Sequence, residues 1–147
     1  MLKIPVGSDH AGFPAKEKVK EILISSGFEP VDMGTFSTDS VDYPDFAYKV
    51  AHSVGTGLFA KGILVCGSGQ GVCITANKVD HVRAALVYNE EVASLTRQHN
   101  DANIMCLPGR TLAESELERI VKTFLSTEFE GGRHQKRVEK IHELTGK

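Results

Sequence analysis

The chain has 147 residues, 41% hydrophobic and 24% charged, with a formal net charge of −2. That balance suits one compact globular domain, residues 1–147, and disfavours disordered classes. No basic excess points to a nucleic-acid partner, and no apolar run approaches the ~20 residues that cross a bilayer, so no membrane partner is expected.

The opening run Met1–Gly7 is short and contains Pro5, which argues against a secretory signal and leads to the expectation of a cytoplasmic protein. Ile4–Ser8 reads as a strand. Pro14 to Ser26 reads as a helix with Ala15, Val19, Ile22 and Leu23 on one face, ended by Gly27. Phe28–Asp32 is a weaker strand, and residues 37–42 form a polar loop. Tyr43-Pro44 opens a second helix, with proline at a favoured first-turn position and Phe46, Ala47, Val50, Ala51 and Val54 as its stripe.

Gly62–Cys66 is an apolar run that reads as a strand and leads directly into Gly67-Ser68-Gly69-Gln70-Gly71. A short helix over about Val72–Lys78 follows, then a fourth strand over Val82–Val87. A helix runs from Asn89 to about His99, and a fifth strand over Ala102–Leu107. Thr111 with Glu114 predicts a capping box before Leu117, Ile120, Val121, Phe124 and Leu125. A last helix over about 132–145 carries Val138, Ile141 and Leu144. Strands alternating with helices predict an α/β fold of three layers, α/β/α, with a five-stranded parallel sheet of the Rossmann-like kind.

In open α/β sheets ligands bind beyond the carboxyl ends of the strands. This selects Ser8-Asp9-His10, Cys66 with its glycine loop, and Pro108-Gly109-Arg110 as segments that converge on one crevice. Three glycines in five residues let a backbone turn sharply, and the N–H groups of Gly69, Gln70 and Gly71 suit an anion. The loop is neither a Walker motif nor the dinucleotide fingerprint, and it also reads as a plain tight turn.

Cys66, Cys73 and Cys106 form no CxxC pair and are odd in number, so reduced thiols are expected. A thiol beside N–H donors is stabilised as the reactive thiolate, which gives Cys66 a chemical reading beside that of a packed core thiol. Cys73 and Cys106 lack that context and read as core. Arg133 and Arg137 lie four apart on one helix face, where they suit a phosphate or a solvated basic surface. His99 can exchange protons or sit half-buried on the Val92–Leu95 row, and Asp9 also suits the cap of the first helix. The six histidines show no HxH, HExxH or clustered Cys/His spacing, so no metal is expected.

Together these segments resemble the ribose-5-phosphate isomerase B (RpiB/LacAB) family over essentially the whole chain. The carrying stretches are 7–13 (GSDHAGF), 42–44 (DYP), 66–71 (CGSGQG), 76–78 (ANK), 97–103 (RQHNDAN) and 130–137 (EGGRHQKR). The resemblance implies an aldose–ketose isomerase acting through an enediolate without a cofactor. It also implies a homodimer, sometimes paired into a tetramer, with active sites at the interface and the C-terminal helix packed there. Cys66 matches the catalytic base, His99 the ring-opening residue, and Ser68 with Gly67 and residues 69–71 the anion hole. Asp9, Tyr43 and Asn100 match sugar contacts. His10, Arg133 and Arg137 match phosphate ligands, and Arg110 and His134 match residues supplied by the partner subunit. Serine stands at 68 where many relatives have threonine, and Val72 stands where another branch has a glutamate base, which puts this chain in the cysteine branch. The resemblance leaves ribose 5-phosphate, allose 6-phosphate and galactose 6-phosphate as substrates. A sugar-phosphate-binding module without chemistry, or a metal-dependent hydrolase built on Asp9, His10 and His99, are the readings from other classes.

Overall fold

The structure is a computed structural model that describes residues 1–147. In chain order it contains β1 (Lys3–Ser8), α1 (Phe13–Ser25), β2 (Glu29–Asp32), α2 (Tyr43–Gly55), β3 (Gly62–Cys66) and α3 (Gln70–Ala76). There follow β4 (Ala84–Leu86), α4 (Glu90–Asn100), β5 (Ile104–Pro108), α5 (Glu114–Ser126) and α6 (Arg133–Thr145). The five strands form one all-parallel sheet in the order β2-β1-β3-β5-β4. The predicted fold class is therefore the observed one.

Alternation along the strands divides the core in two. Ile63 and Val65 of β3 pack with Val19 and Leu23 of α1 and with Ile120 and Phe124 of α5. Leu64 and Cys66 turn to the other face and pack with Val50 and Val54 of α2 and Val72 and Ala76 of α3. Each fully buried aliphatic side chain contributes about 1.5–3 kcal/mol, so both layers fix the sheet from above and below. No helix is long and apolar enough to cross a membrane.

Three local differences from the sequence reading have physical causes. The fourth strand spans Ala84–Leu86 rather than Val82–Val87, because the Arg83 N–H is taken by the Asn103 side chain at 2.7 Å. The third helix starts at Gln70 rather than Val72, because Gly69 turns the chain with φ +76 immediately before it. The capping box predicted at Thr111 and Glu114 is shifted by two residues. Thr111 is spent on a turn onto the Pro108 carbonyl, and Glu116 Oε1 accepts from the Ala113 N–H at 3.1 Å instead.

The chain reverses its direction of strand addition between β1 and β3. That is the switch point at which doubly wound sheets open a crevice.

Candidate active site

Backbone hydrogen bonds first bring the strand tips together. The Asp9 N–H donates to the Val65 carbonyl at 3.3 Å, and the Gly109 N–H donates to the Cys66 carbonyl at 2.9 Å. The Arg110 N–H reaches the Gly67 carbonyl at 3.2 Å. The three segments selected from the sequence thus meet, and they enclose a cavity of about 230 Å³ lined by Asp9, His10, Tyr43, Cys66, Gly67, Ser68, Gly71 and Arg110, with Ala11.

Each wall has a local cause. Cys66 is the last residue of β3 and is 5% exposed. Gly69 must be glycine twice over: its φ is +76, and a Cβ there would lie 2.5 Å from Leu86. Ser68 Oγ accepts from the Gln70 N–H at 3.3 Å, which leaves the hydroxyl proton free to donate. The Arg110 guanidinium packs on the Gly67 backbone, where a Cβ would come within 2.9 Å of Nη1, and the Tyr43 ring packs on Gly71 in the same way. Asp9 accepts the Gly12 N–H at 2.9 Å, which closes the turn ahead of α1; Gly12, not Asp9, is the N-cap of that helix, so the helix-cap reading of Asp9 is replaced by its place in the cavity.

His10 Nδ1 accepts the Val41 N–H at 3.1 Å. An imidazole that accepts at Nδ1 carries its proton at Nε2, so His10 keeps one donor and is tied to the 37–42 loop.

The other predicted residues gather elsewhere. Helix α4 runs back from the carboxyl edge of the sheet, and its end returns to the start of β3, where the Gly62 N–H donates to the Asn103 carbonyl at 2.9 Å. The four steps from Gly62 to Cys66, at ~3.3 Å each, put this edge about 13 Å from the Cys66 tip. Here the His99 ring stacks on His134 of α6 at 4.4 Å, with Glu130 3.9 Å from His99 Nε2. Burial, with His99 and Arg133 adding to it, lowers the His134 pKa from 6.5. Arg133 and Arg137 are exposed and form no ion pair within the chain, and Asn100 lines a separate depression with Arg83, Ile141 and His142.

The site residues therefore form two groups at opposite edges of the sheet. Asp9, His10, Tyr43, Cys66, Gly67, Ser68, Gly71 and Arg110 make one, and His99, Asn100, Arg133, His134 and Arg137 make the other. Arg110, matched through the resemblance to a partner residue, stands in its own chain's Cys66 cavity. Gly69 and Gln70 shape the loop without lining that cavity. Ala11 was not singled out in the sequence, although it lies inside the 7–13 segment. No three His, Cys, Asp or Glu side chains meet in a metal-holding group.

A family model described as Ribose/Galactose Isomerase matches residues 4–141. The chain belongs to that family. It is 48% identical to a probable ribose-5-phosphate isomerase B of Mycoplasma genitalium over 95% of this chain and 93% of that one. Its identity to ribose-5-phosphate isomerase B of Escherichia coli is 42%, over 96% and 95%. Among solved structures, a ribose 5-phosphate isomerase from Thermotoga maritima superposes with a TM-score of 0.94 at 50% identity, covering 97% of this chain and 98% of that one. The Mycoplasma genitalium enzyme with bound ribulose-5-phosphate gives 0.94 at 44% identity, over 99% and 97%.

Proposed function

We propose that this protein interconverts ribose 5-phosphate and ribulose 5-phosphate through an enediolate, with Cys66 as the general base. The observation that carries the proposal is the cavity at the β1–β3 switch point, where Cys66, Ser68, Asp9 and His10 face one another. Family membership and the ribulose-5-phosphate complex of a 44%-identical relative support the choice of substrate.

The chemistry follows from the side chains. The Cys66 thiolate takes the proton on C2 of the open-chain aldose and returns it to C1, while a hydroxyl proton moves from O2 to O1. Negative charge grows on the oxygen that meets the Ser68 hydroxyl and the Gly71 amide, while Gly69 and Gln70 hold the loop in shape, and one such donor contributes about 3–4 kcal/mol. Asp9 and Tyr43 hold sugar hydroxyls, and His10 gives its Nε2–H to the phosphate. The step is redox-neutral, so no nicotinamide or flavin has a task in it.

The other group of residues supplies what this cavity lacks: His99 to open the furanose ring, Asn100 to bind the sugar, and Arg133 and Arg137, with His134 beside them, for the phosphate. A two-fold dimer brings each group against its counterpart in the second copy, because an isologous interface pairs unlike patches twice. The cavity volume, about 230 Å³, lies below the ~300–1,000 Å³ usual for ligand sites, which fits a site that a partner completes. On this reading α6 packs at the dimer interface.

A coupled assay on ribose 5-phosphate, with allose 6-phosphate and galactose 6-phosphate beside it, tests the substrate. The expected result is the highest kcat/KM on the pentose. A higher value on either hexose would reassign the substrate, and no turnover of any, with tight binding retained, would favour a sugar-phosphate sensor.

A further inference from the structure

Arg83 immediately precedes β4, inside an apolar run, and is half-buried. A buried charge needs partners, and its guanidinium has several. Nε donates to the Asn100 carbonyl at 3.2 Å and the Asp101 carbonyl at 3.1 Å. Nη2 donates to the Asp101 carbonyl at 2.8 Å and to its carboxylate at 3.4 Å. Nη1 donates to His142 Nε2 at 2.9 Å. A guanidinium only donates, so His142 accepts there and carries its proton on Nδ1, which is buried without a partner. Asn103 grips the Arg83 backbone from both sides, accepting its N–H at 2.7 Å and donating to its carbonyl at 2.9 Å.

These bonds converge on the turn that follows His99. Asp101 has φ 47 and ψ 42, a left-handed conformation that side-chain-bearing residues seldom adopt. The last helical carbonyls of α4 have no partners within the helix. Glycine and its backbone amides usually close such an end; here two arginines reinforce it. Arg97 Nη1 binds the Asp101 carboxylate at 2.9 Å and the Ala102 carbonyl at 2.7 Å, and Arg83 takes the carbonyls of Asn100 and Asp101. Arg83 alone also reaches α6, through His142. The His99–His134 stack joins the same two helices nearer the start of α6.

We propose that Arg83 is a positioning residue for the isomerase reaction: it fixes the Asn100–Asp101 turn and ties it to α6, and so holds the His99 ring where it opens the sugar. The proposal rests on the reading of His99 as the ring-opening group. Arg83 touches no substrate in this scheme. Its effect passes through the backbone on which His99 and Asn100 are mounted, and a displacement of ~1 Å at a reacting group can cost about 100-fold in rate.

The test compares Arg83→Gln, Arg83→Lys and His99→Asn in the full chain, on ribose 5-phosphate and on the same sugar deuterated at C2. When ring opening limits the rate, C–H cleavage no longer does, and the isotope effect falls toward one. A smaller folded fraction lowers the rate and leaves the isotope effect unchanged. Arg83→Gln is expected to lose about 10- to 100-fold in kcat/KM, with an isotope effect reduced to that of His99→Asn. Arg83→Lys, lacking the planar fork, should fall between Arg83→Gln and the wild type. A wild-type rate, or a lowered rate with the wild-type isotope effect, in Arg83→Gln overturns the positioning role while a collapsed isotope effect in His99→Asn leaves the ring-opening reading intact. A wild-type rate and isotope effect in His99→Asn overturns the ring-opening reading, and the role of Arg83 falls with it.

Discussion

The imidazoles of His99 and His134 stack with their centroids 4.4 Å apart and an interplanar angle of 16°. The pair joins the end of α4 to the first turn of α6, so the ring-opening candidate and the arginine pair belong to one surface. Burial, His99 and Arg133 all disfavour a proton on His134. A proton titration followed by NMR should therefore place the His134 midpoint below 6.5, and Arg133→Ala should move it upward. In the window below pH ~6.5 the unfolded chain takes up a proton that the folded chain refuses, so this group costs stability as the pH falls. A midpoint above 6.5 would contradict the assignment.

The separation of the two groups by the length of β3 predicts complementation between impaired variants. Cys66→Ala and His99→Asn each lose most of their activity alone. Mixed and reassembled, they should regain up to about a quarter of wild-type activity, because half of random dimers contain one site with both native residues. Recovery is read from the same coupled assay, and no recovery from a mixture shown to exchange subunits would place each complete site within one chain.

Arg137 is exposed and has no partner in its own chain, which suits a group kept for a ligand. Arg137→Ala should raise KM for ribose 5-phosphate about 10-fold or more while kcat changes less, since a charge-assisted bond to phosphate holds ground state and transition state alike. An unchanged KM would remove Arg137 from the phosphate site.

Beneath the site, Lys16 is fully buried, with Nζ 2.6 Å from Asp32 Oδ1 and a second bond to the Thr35 carbonyl. Burial raises the Asp32 pKa, but hydrogen bonds from Lys16, Lys20 and the Gly34 N–H outweigh it and lower the value from 3.8. The folded carboxylate stays ionised where the unfolded one already takes a proton. Its contribution is thus present above pH ~4 and lost as the pH falls through the lower folded value. Asp32→Asn should cost about 3 kcal/mol by leaving Lys16 without its counter-ion, which lowers Tm by roughly 10 °C. A Tm within about 2 °C of the wild type would show that the Thr35 carbonyl alone satisfies Lys16.

The cavity group was legible because strand ends are legible. An apolar run that stops at a glycine loop locates Cys66, and the rule for parallel sheets then brings in Asp9, His10 and Arg110. The second group obeys no such rule. His99 and Asn100 end a helix that runs against the strands, so they sit at the far edge; proton exchange at His99 reads from its chemistry, but ring opening and the sugar contact of Asn100 come only through the family resemblance. Arg83 carries a signal of its own in the sequence. A lone arginine between Val82 and Ala84, in a stretch apolar enough to read as a strand, must find buried partners, and those partners lie 17–20 and 59 residues away in sequence. The shift of the capping box has a similar origin: Thr111 has the right chemistry but is claimed by the turn that delivers Arg110 to the cavity.

The proton-transfer role of Cys66 is tested most directly by Cys66→Ala, with turnover and substrate binding measured on the same preparation. Turnover should fall by about 1,000-fold or more, the scale of a lost general base, while ribose 5-phosphate still binds with nearly unchanged affinity. Turnover within about 10-fold of the wild type would mean that another group moves the proton, and the cysteine mechanism would be wrong.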